Sequence, residues 1–187
     1  MWRILAPLFL LPALANCGAG DTSANLTSGG DAVDNATLTK FTLISDDFKD
    51  GQSIPAVHSC DGGDQSPALS WDEPPPGTKS LALVMDDPDA PSGTFLHWGV
   101  YDIPPTTRSI PSGQQVGKQA VNSFGASGYK GPCPPKGHGP HHYRFKLYAL
   151  DVDRLTLPAD ATVEQVEAEA QRHQIGMAQI TGTYERK

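Results

Sequence analysis

Lys79-Ser80-Leu81-Ala82-Leu83-Val84-Met85 is an almost unbroken apolar run that stops at Asp86-Asp87-Pro88-Asp89-Ala90-Pro91. A short apolar run bounded by turn residues is the pattern of a strand buried on both faces. Upstream, Phe41-Thr42-Leu43-Ile44 is a shorter run of β-forming residues that ends at the turn Asp46-Asp47. Downstream, Phe95–Tyr101 (FLHWGVY) is aromatic and β-branched. Tyr143–Leu150 (YRFKLYAL) alternates, with Tyr143, Phe145, Leu147 and Ala149 on one side and Arg144, Lys146 and Tyr148 on the other. Gln179–Tyr184 (QITGTY) completes the strands. Helical signals collect over Thr162–Ile175: Thr162 as N-cap, Gln165 three residues on as its capping-box partner, and Val163, Val166 and Ala170 on one face. Early Glu164 and Glu167 and late Arg172 and His173 suit the helix dipole, and Gly176 predicts the stop. Strands first and a helix last predict a mostly β, α+β fold, a sandwich with an appended helix.

Composition agrees. Among 187 residues, Gly 19 and Pro 17 give many turns and argue against a helical bundle. Lys+Arg 14 against Asp+Glu 21 leaves a net charge of −7 without a basic run, which excludes a nucleic-acid partner. The one long apolar run, Ile4–Ala15 behind Arg3, is shorter than a membrane span and is interrupted by Pro7 and Pro12. It reads as a secretory signal over residues 1–16. Leu14-Ala15-Asn16-Cys17 resembles a bacterial lipobox, with Cys17 as the lipidated residue, although Asn16 departs from the usual small residue; Ala13-Leu14-Ala15 offers ordinary cleavage instead. The chain is therefore expected to be exported, either as an anchored lipoprotein or free in the periplasm. Residues 17–39 are Gly-, Ser-, Thr-, Asn- and Asp-rich and read as a tether. The folded unit is residues 40–187.

Lipidation of Cys17 leaves Cys60 and Cys133. In an oxidising compartment the pair is expected to bridge, with two buried thiols as the alternative. Closing a loop of about 70 residues would stabilise the fold by about 3–4 kcal/mol on the chain-entropy model.

Three clusters carry candidate chemistry. The first is the proline-stiffened acidic turn Asp86–Pro91, and the second is His97-Trp98 in the following strand. The third is Gly137-His138-Gly139-Pro140-His141-His142-Tyr143, where a glycine-rich loop enters a strand. It ends a long stretch of weak periodicity, Pro104–Pro140, which reads as a functional loop stiffened by Pro132-Cys133-Pro134-Pro135.

In this order and spacing the motifs resemble the phosphatidylethanolamine-binding protein family, in its bacterial and archaeal, Raf kinase inhibitor-like branch. The carrying residues are Asp87-Pro88-Asp89-Ala90-Pro91, Phe95-Leu96-His97-Trp98, and Tyr129–Pro135 leading to His141-His142-Tyr143. Ser66–Trp71 and Gly176–Tyr184 support them, so the likeness spans residues 40–187. It implies a Greek-key β-sandwich with a large central sheet, a smaller sheet and a C-terminal helix. It also implies an anion pocket of Asp87, His97, His141 and Tyr143, with Asp89 bracing the turn and backbone N–H groups around Gly131 and Pro132 contributing. His142 replaces the family's Arg and should face away from His141 and Tyr143.

The implied function is non-enzymatic binding of a small anion, whether phosphate, a phospholipid head group or a carboxylate, with an inhibitor-like regulatory role toward a protein partner. No cofactor is called for. Because imidazolium N–H groups are the charged donors, binding should be tighter at pH about 5–6 than at 8. The competing classes are a metal site built from Asp87, His97 and His141, with His138 as a further candidate ligand, and a hydrolase using the same Asp/His cluster. Against the hydrolase, the chain lacks a G-x-S-x-G elbow.

Overall fold

In a computed structural model, residues 40–187 are described. The signal segment, the tether and Cys17 lie outside the described residues. Among the described residues eight strands form two antiparallel sheets. The smaller has the order β1-β2-β5, from Leu43–Ser45, Leu69–Trp71 and Ser109–Ile110. The larger has the order β6-β4-β3-β7-β8, from Lys118–Gln119, Phe95–Ile103, Ser80–Asp87, His141–Leu150 and Gln174–Tyr184. The α-helix α1 (Val163–His173) precedes β8. Among the described residues no helix is long and apolar enough to cross a membrane.

The apolar run found first in the sequence is β3, the middle strand of the large sheet, and all its residues are buried. Its two faces serve two cores. Leu81, Leu83 and Met85 pack with Phe145, Leu147 and Ile180 against Leu43, Leu69, Trp71 and Ile110 of the small sheet. Ala82 and Val84 pack with Tyr101 and Tyr148 against Val163, Val166 and Ala170 of α1. Coverage on both sides is why β3 carries no polar alternation. The helix lies close: a Cβ on Gly99 would stand 2.8 Å from a Val163 methyl, so only glycine lets α1 seat there.

The helix starts as expected. Thr162 accepts from the Gln165 N–H and Gln165 returns a bond to the Thr162 N–H, a complete capping box. Its end differs from the sequence reading. Gly176 is not the stop; the helix closes at His173, Gln174 is extended, and Gly176 pairs with Ala149 inside β8. Ladder bonds to β7 outweigh a local C-cap preference here. The stretch 104–140 likewise is not wholly irregular, because β5 and β6 lie within it. At two residues each, neither is long enough to show a period. Cys60 and Cys133 form a disulfide with their Cα atoms 5.4 Å apart.

Candidate functional site

Three distant stretches of chain meet at one end of the large sheet. Asp87 ends β3, and its Oδ1 accepts from the Asp89 N–H at 2.9 Å, folding the acidic turn back on itself. Its Oδ2 lies 2.8 Å from Nδ1 of His141, the first residue of β7. Both side chains are buried. Asp89 faces the other way and takes two bonds from His142, from the backbone N–H at 2.8 Å and from Nδ1 at 2.7 Å. The turn is thus braced to β7, and His142 points outward as alternation predicts. These bonds hold the Asp89 carboxyl below its usual range.

His97 reaches the site through a register irregularity. Met85 pairs with Trp98 and Asp86 with Leu96, which leaves His97 as the extra residue of a β-bulge. A regular strand would send His97 and Trp98 to opposite faces. The bulge lets both point away from α1: His97 stands edge-on to Tyr143 at 5.3 Å, and Trp98 joins the core between the sheets. His97 Nδ1 is 2.8 Å from the Lys130 carbonyl.

These residues surround a cavity of about 280 Å³, whose wall includes Asp87, His97 and His141. Its rim is apolar, with Pro91, Phe95, Phe124, Pro134 and Pro135. Phe124 is exposed and meets Phe95 and His97 edge-on. Tyr143 stands behind His97 rather than on the wall, and its buried hydroxyl has no hydrogen-bond partner. Gly131 and Pro132 require a correction. The Gly131 N–H donates to Asp64 Oδ1 at 2.6 Å, and the Pro132 carbonyl accepts from the Cys60 N–H at 3.1 Å. They fix the loop that walls the cavity and have no free donor to offer. A Cβ on Gly131 would lie 2.0 Å from the His58 carbonyl oxygen, so the loop can pass only as glycine. The rim aromatic Phe124 and the Asp64 clamp escaped the sequence reading; a lone Phe in the Ser/Gly stretch Asn122–Gly128 was the available signal.

Tautomers follow from the partners. A carbonyl oxygen only accepts, so Nδ1 of His97 carries the proton; an ionised Asp87 imposes the same on His141. In each ring Nε2 remains the uncommitted polar atom. It is an acceptor when the ring is neutral and a charged donor when the ring is protonated. Burial pushes the His97 imidazole below its ordinary value, partly opposed by the Lys130 carbonyl and by the Asp87 charge. The Tyr143 phenol is pushed far up by burial and then by the Asp87 charge, so it remains an O–H donor. Among the described residues no group of three or more His, Cys, Asp or Glu side chains is arranged to hold a metal ion.

A model of the phosphatidylethanolamine-binding protein family matches residues 44–185. The chain belongs to that family. Of its relatives, the UPF0098 protein of Aquifex aeolicus is 49% identical over 150 residues, covering 77% of this chain and 88% of that protein. LppC of Mycobacterium tuberculosis, whose name marks it as a candidate lipoprotein, is 41% identical over 190 residues, covering 96% of this chain and 94% of that one. The crystal structure of Escherichia coli YbcL, described as a member of the mammalian phosphatidylethanolamine-binding protein family, superposes with a TM-score of 0.75 at 35% identity. That match covers 80% of this chain and 100% of YbcL.

Proposed function

We propose that this family member is a non-enzymatic binding protein that holds a small anion between His97 and His141, with Tyr143 packed behind His97 as support rather than as a donor. The observation that carries the reading is that two buried imidazoles, each anchored through Nδ1, keep Nε2 uncommitted beside one cavity. Asp87 acts by orienting His141 through their 2.8 Å bond, since a carboxylate is a poor direct partner for an anionic ligand. The apolar rim suits an organic phosphate or carboxylate better than a bare ion, and the 280 Å³ volume restricts it to a head-group-sized molecule. Cys133 on the wall is held in the disulfide and offers no thiol.

The test is calorimetric titration with dimethyl phosphate, a diester whose charge does not change over the range used. Affinity is expected to be about tenfold higher at pH about 5.5 than at 8, because protonating one imidazole supplies a cationic donor. Inorganic phosphate and glycerophosphoethanolamine, run in parallel, separate a free-ion site from a head-group site. Equal affinity at the two pH values, or binding unchanged by His97→Gln, refutes the reading.

The likeness to LppC over most of the chain supports an exported lipoprotein anchored through Cys17. The protein made in a bacterial host should then partition with membranes, and Cys17→Ala should release it into the soluble fraction. Soluble wild-type protein would instead support ordinary cleavage.

A further inference from the structure

The bulge that sends His97 to the anion pocket places its neighbour Trp98 under a second, separate concavity. This cleft, of about 560 Å³, lies beside the edge strand β6 and between the loops around Gln65, Gly113 and Gly128. Its wall is made of Gln65, Gln114, Gln115, Gln119, Ser112 and Ser127, over a floor where Trp98 meets Tyr129 edge-on. We propose that this cleft is a second ligand site, which takes an uncharged polyhydroxylated ligand, a saccharide.

The chemistry of the wall selects that class. Its charged side chain, Asp64, is neutralised by Lys130 Nζ at 2.8 Å and by the Gly131 N–H, so no net charge attracts an ion. The surface presented is mainly amide and hydroxyl, which gives an acyl chain little to bury against. Backbone donors around the cleft are already spent: Gln65 N–H on the Val57 carbonyl, Gly113 N–H on that of Ser66, and Gly128 N–H on that of Ala120. An extended peptide, which needs main-chain partners, finds few. What remains is the amides of Gln114 and Gln115 and the Gln65 amide oxygen, beside the Ser112 and Ser127 hydroxyls, whose protons go to the Ser66 and Gln119 carbonyls and whose oxygens can still accept; donors and acceptors side by side complement a ring of sugar hydroxyls.

Part of the set is held in place. Trp98 Nε1–H donates to Gln119 Oε1 at 2.9 Å, Gln119 Nε2–H donates to the Val116 carbonyl at 3.0 Å, and Gln65 Nε2–H donates to Ser112 Oγ at 2.8 Å. Fixed amides lose little rotamer entropy on binding, unlike those of a freely solvated surface. Gly113 and Gly128, at φ +70 and +96, keep the walls bare; a Cβ on Gly113 would press on the Gln65 side chain at 3.1 Å.

The indole N–H of Trp98 reports on the site because its acceptor, Gln119, is part of the wall. Trp71, whose indole donates to the Thr107 carbonyl at 3.0 Å, is an internal control. Two-dimensional ¹H–¹⁵N spectra of the whole protein, with dimethyl phosphate present throughout, are recorded against maltotriose, cellotriose and chitotriose. At least one should move the Trp98 resonance and leave Trp71 in place, with saturation at about 10 mM or below, the usual range of a weak single-site ligand. Gln115→Ala and Gln65→Ala should each weaken that binding about fivefold, the loss of one neutral hydrogen bond. The proposal is overturned if no saccharide shifts Trp98, if Trp71 moves equally, if both variants bind as the wild type does, or if trialanine amide shifts Trp98 more than any sugar.

Discussion

Asp86 and Asp87 are consecutive, both buried, and on opposite faces of β3, yet they end in different company. Asp86 turns toward α1. Arg144 grips it with Nε at 2.7 Å and Nη2 at 2.8 Å, and Lys146 adds a third bond at 2.7 Å. Lys146 also pairs with Glu167, which accepts from the Tyr148 hydroxyl at 2.8 Å. Asp87 turns the other way, to one backbone N–H and one imidazole beside a cavity. The two tyrosines repeat the contrast. Burial raises both phenols, with Glu167 adding to it at Tyr148 and Asp87 at Tyr143. The Tyr148 hydroxyl is bonded, whereas that of Tyr143 is not. Burial of a charged group therefore does not mark a binding site by itself. The mark is a buried side chain beside open space with an uncommitted polar atom, as Nε2 is in His97 and His141.

The sharpest way to break this contrast is to remove each acid in turn. Asp86→Ala strands Arg144 and the largely buried Lys146, and should cost about 3–5 kcal/mol of stability in urea denaturation. Asp87→Asn keeps an acceptor for His141 and should cost only about 1–2 kcal/mol. The order reverses for ligand. Asp87→Asn should lower dimethyl phosphate affinity about tenfold by replacing the charge-assisted bond that orients His141 with a neutral one. Asp86→Asn, the milder change if the alanine variant does not fold, should leave affinity near that of the wild type. Equal stability costs, or an affinity loss shared by both positions, would show the two sides of β3 to be one network.

How far this was legible in the sequence follows from the range over which each feature is determined. The buried run of β3 and the outward turn of His142 are local, set by hydrophobicity and a period of two, and both were read correctly. The capping box of α1 is local as well. The bulge at His97 is not, because it is defined by which residues of β3 face it, and the sequence of β4 alone does not contain that register. The same holds for Gly176, whose local preference for ending a helix lost to its partner Ala149 on β7. Gly131 was misread for a related reason: a donor near the pocket was assumed free, when a carboxylate 67 positions earlier in the chain takes it. The family pattern supplied which side chains gather. Their bonding, which decides what each can do, came only with the fold.

The smallest expected effect is also the one that isolates His97. The unfolded chain takes up a proton at an imidazole near pH 6.5, while burial holds the folded His97 below that value. Between the two, the unfolded state binds more protons, so the contribution of His97 to stability is intact above about pH 6.5 and is lost as pH falls through that range. The Lys130 carbonyl and the Asp87 charge oppose the shift, which keeps the change modest. An anion in the pocket reverses it, because the charged ring then gains a partner. Thermal melts at pH about 5.5 and 7.5 should therefore show ligand-free protein losing some stability at the lower pH, with dimethyl phosphate restoring more of it there than at the higher pH. His97→Gln retains a donor for Lys130 but has no charge to gain. It should remove that part of the acid loss and its rescue together. If the variant melts with the same pH dependence and the same ligand rescue as the wild type, His97 is not the group that couples protons to the ligand.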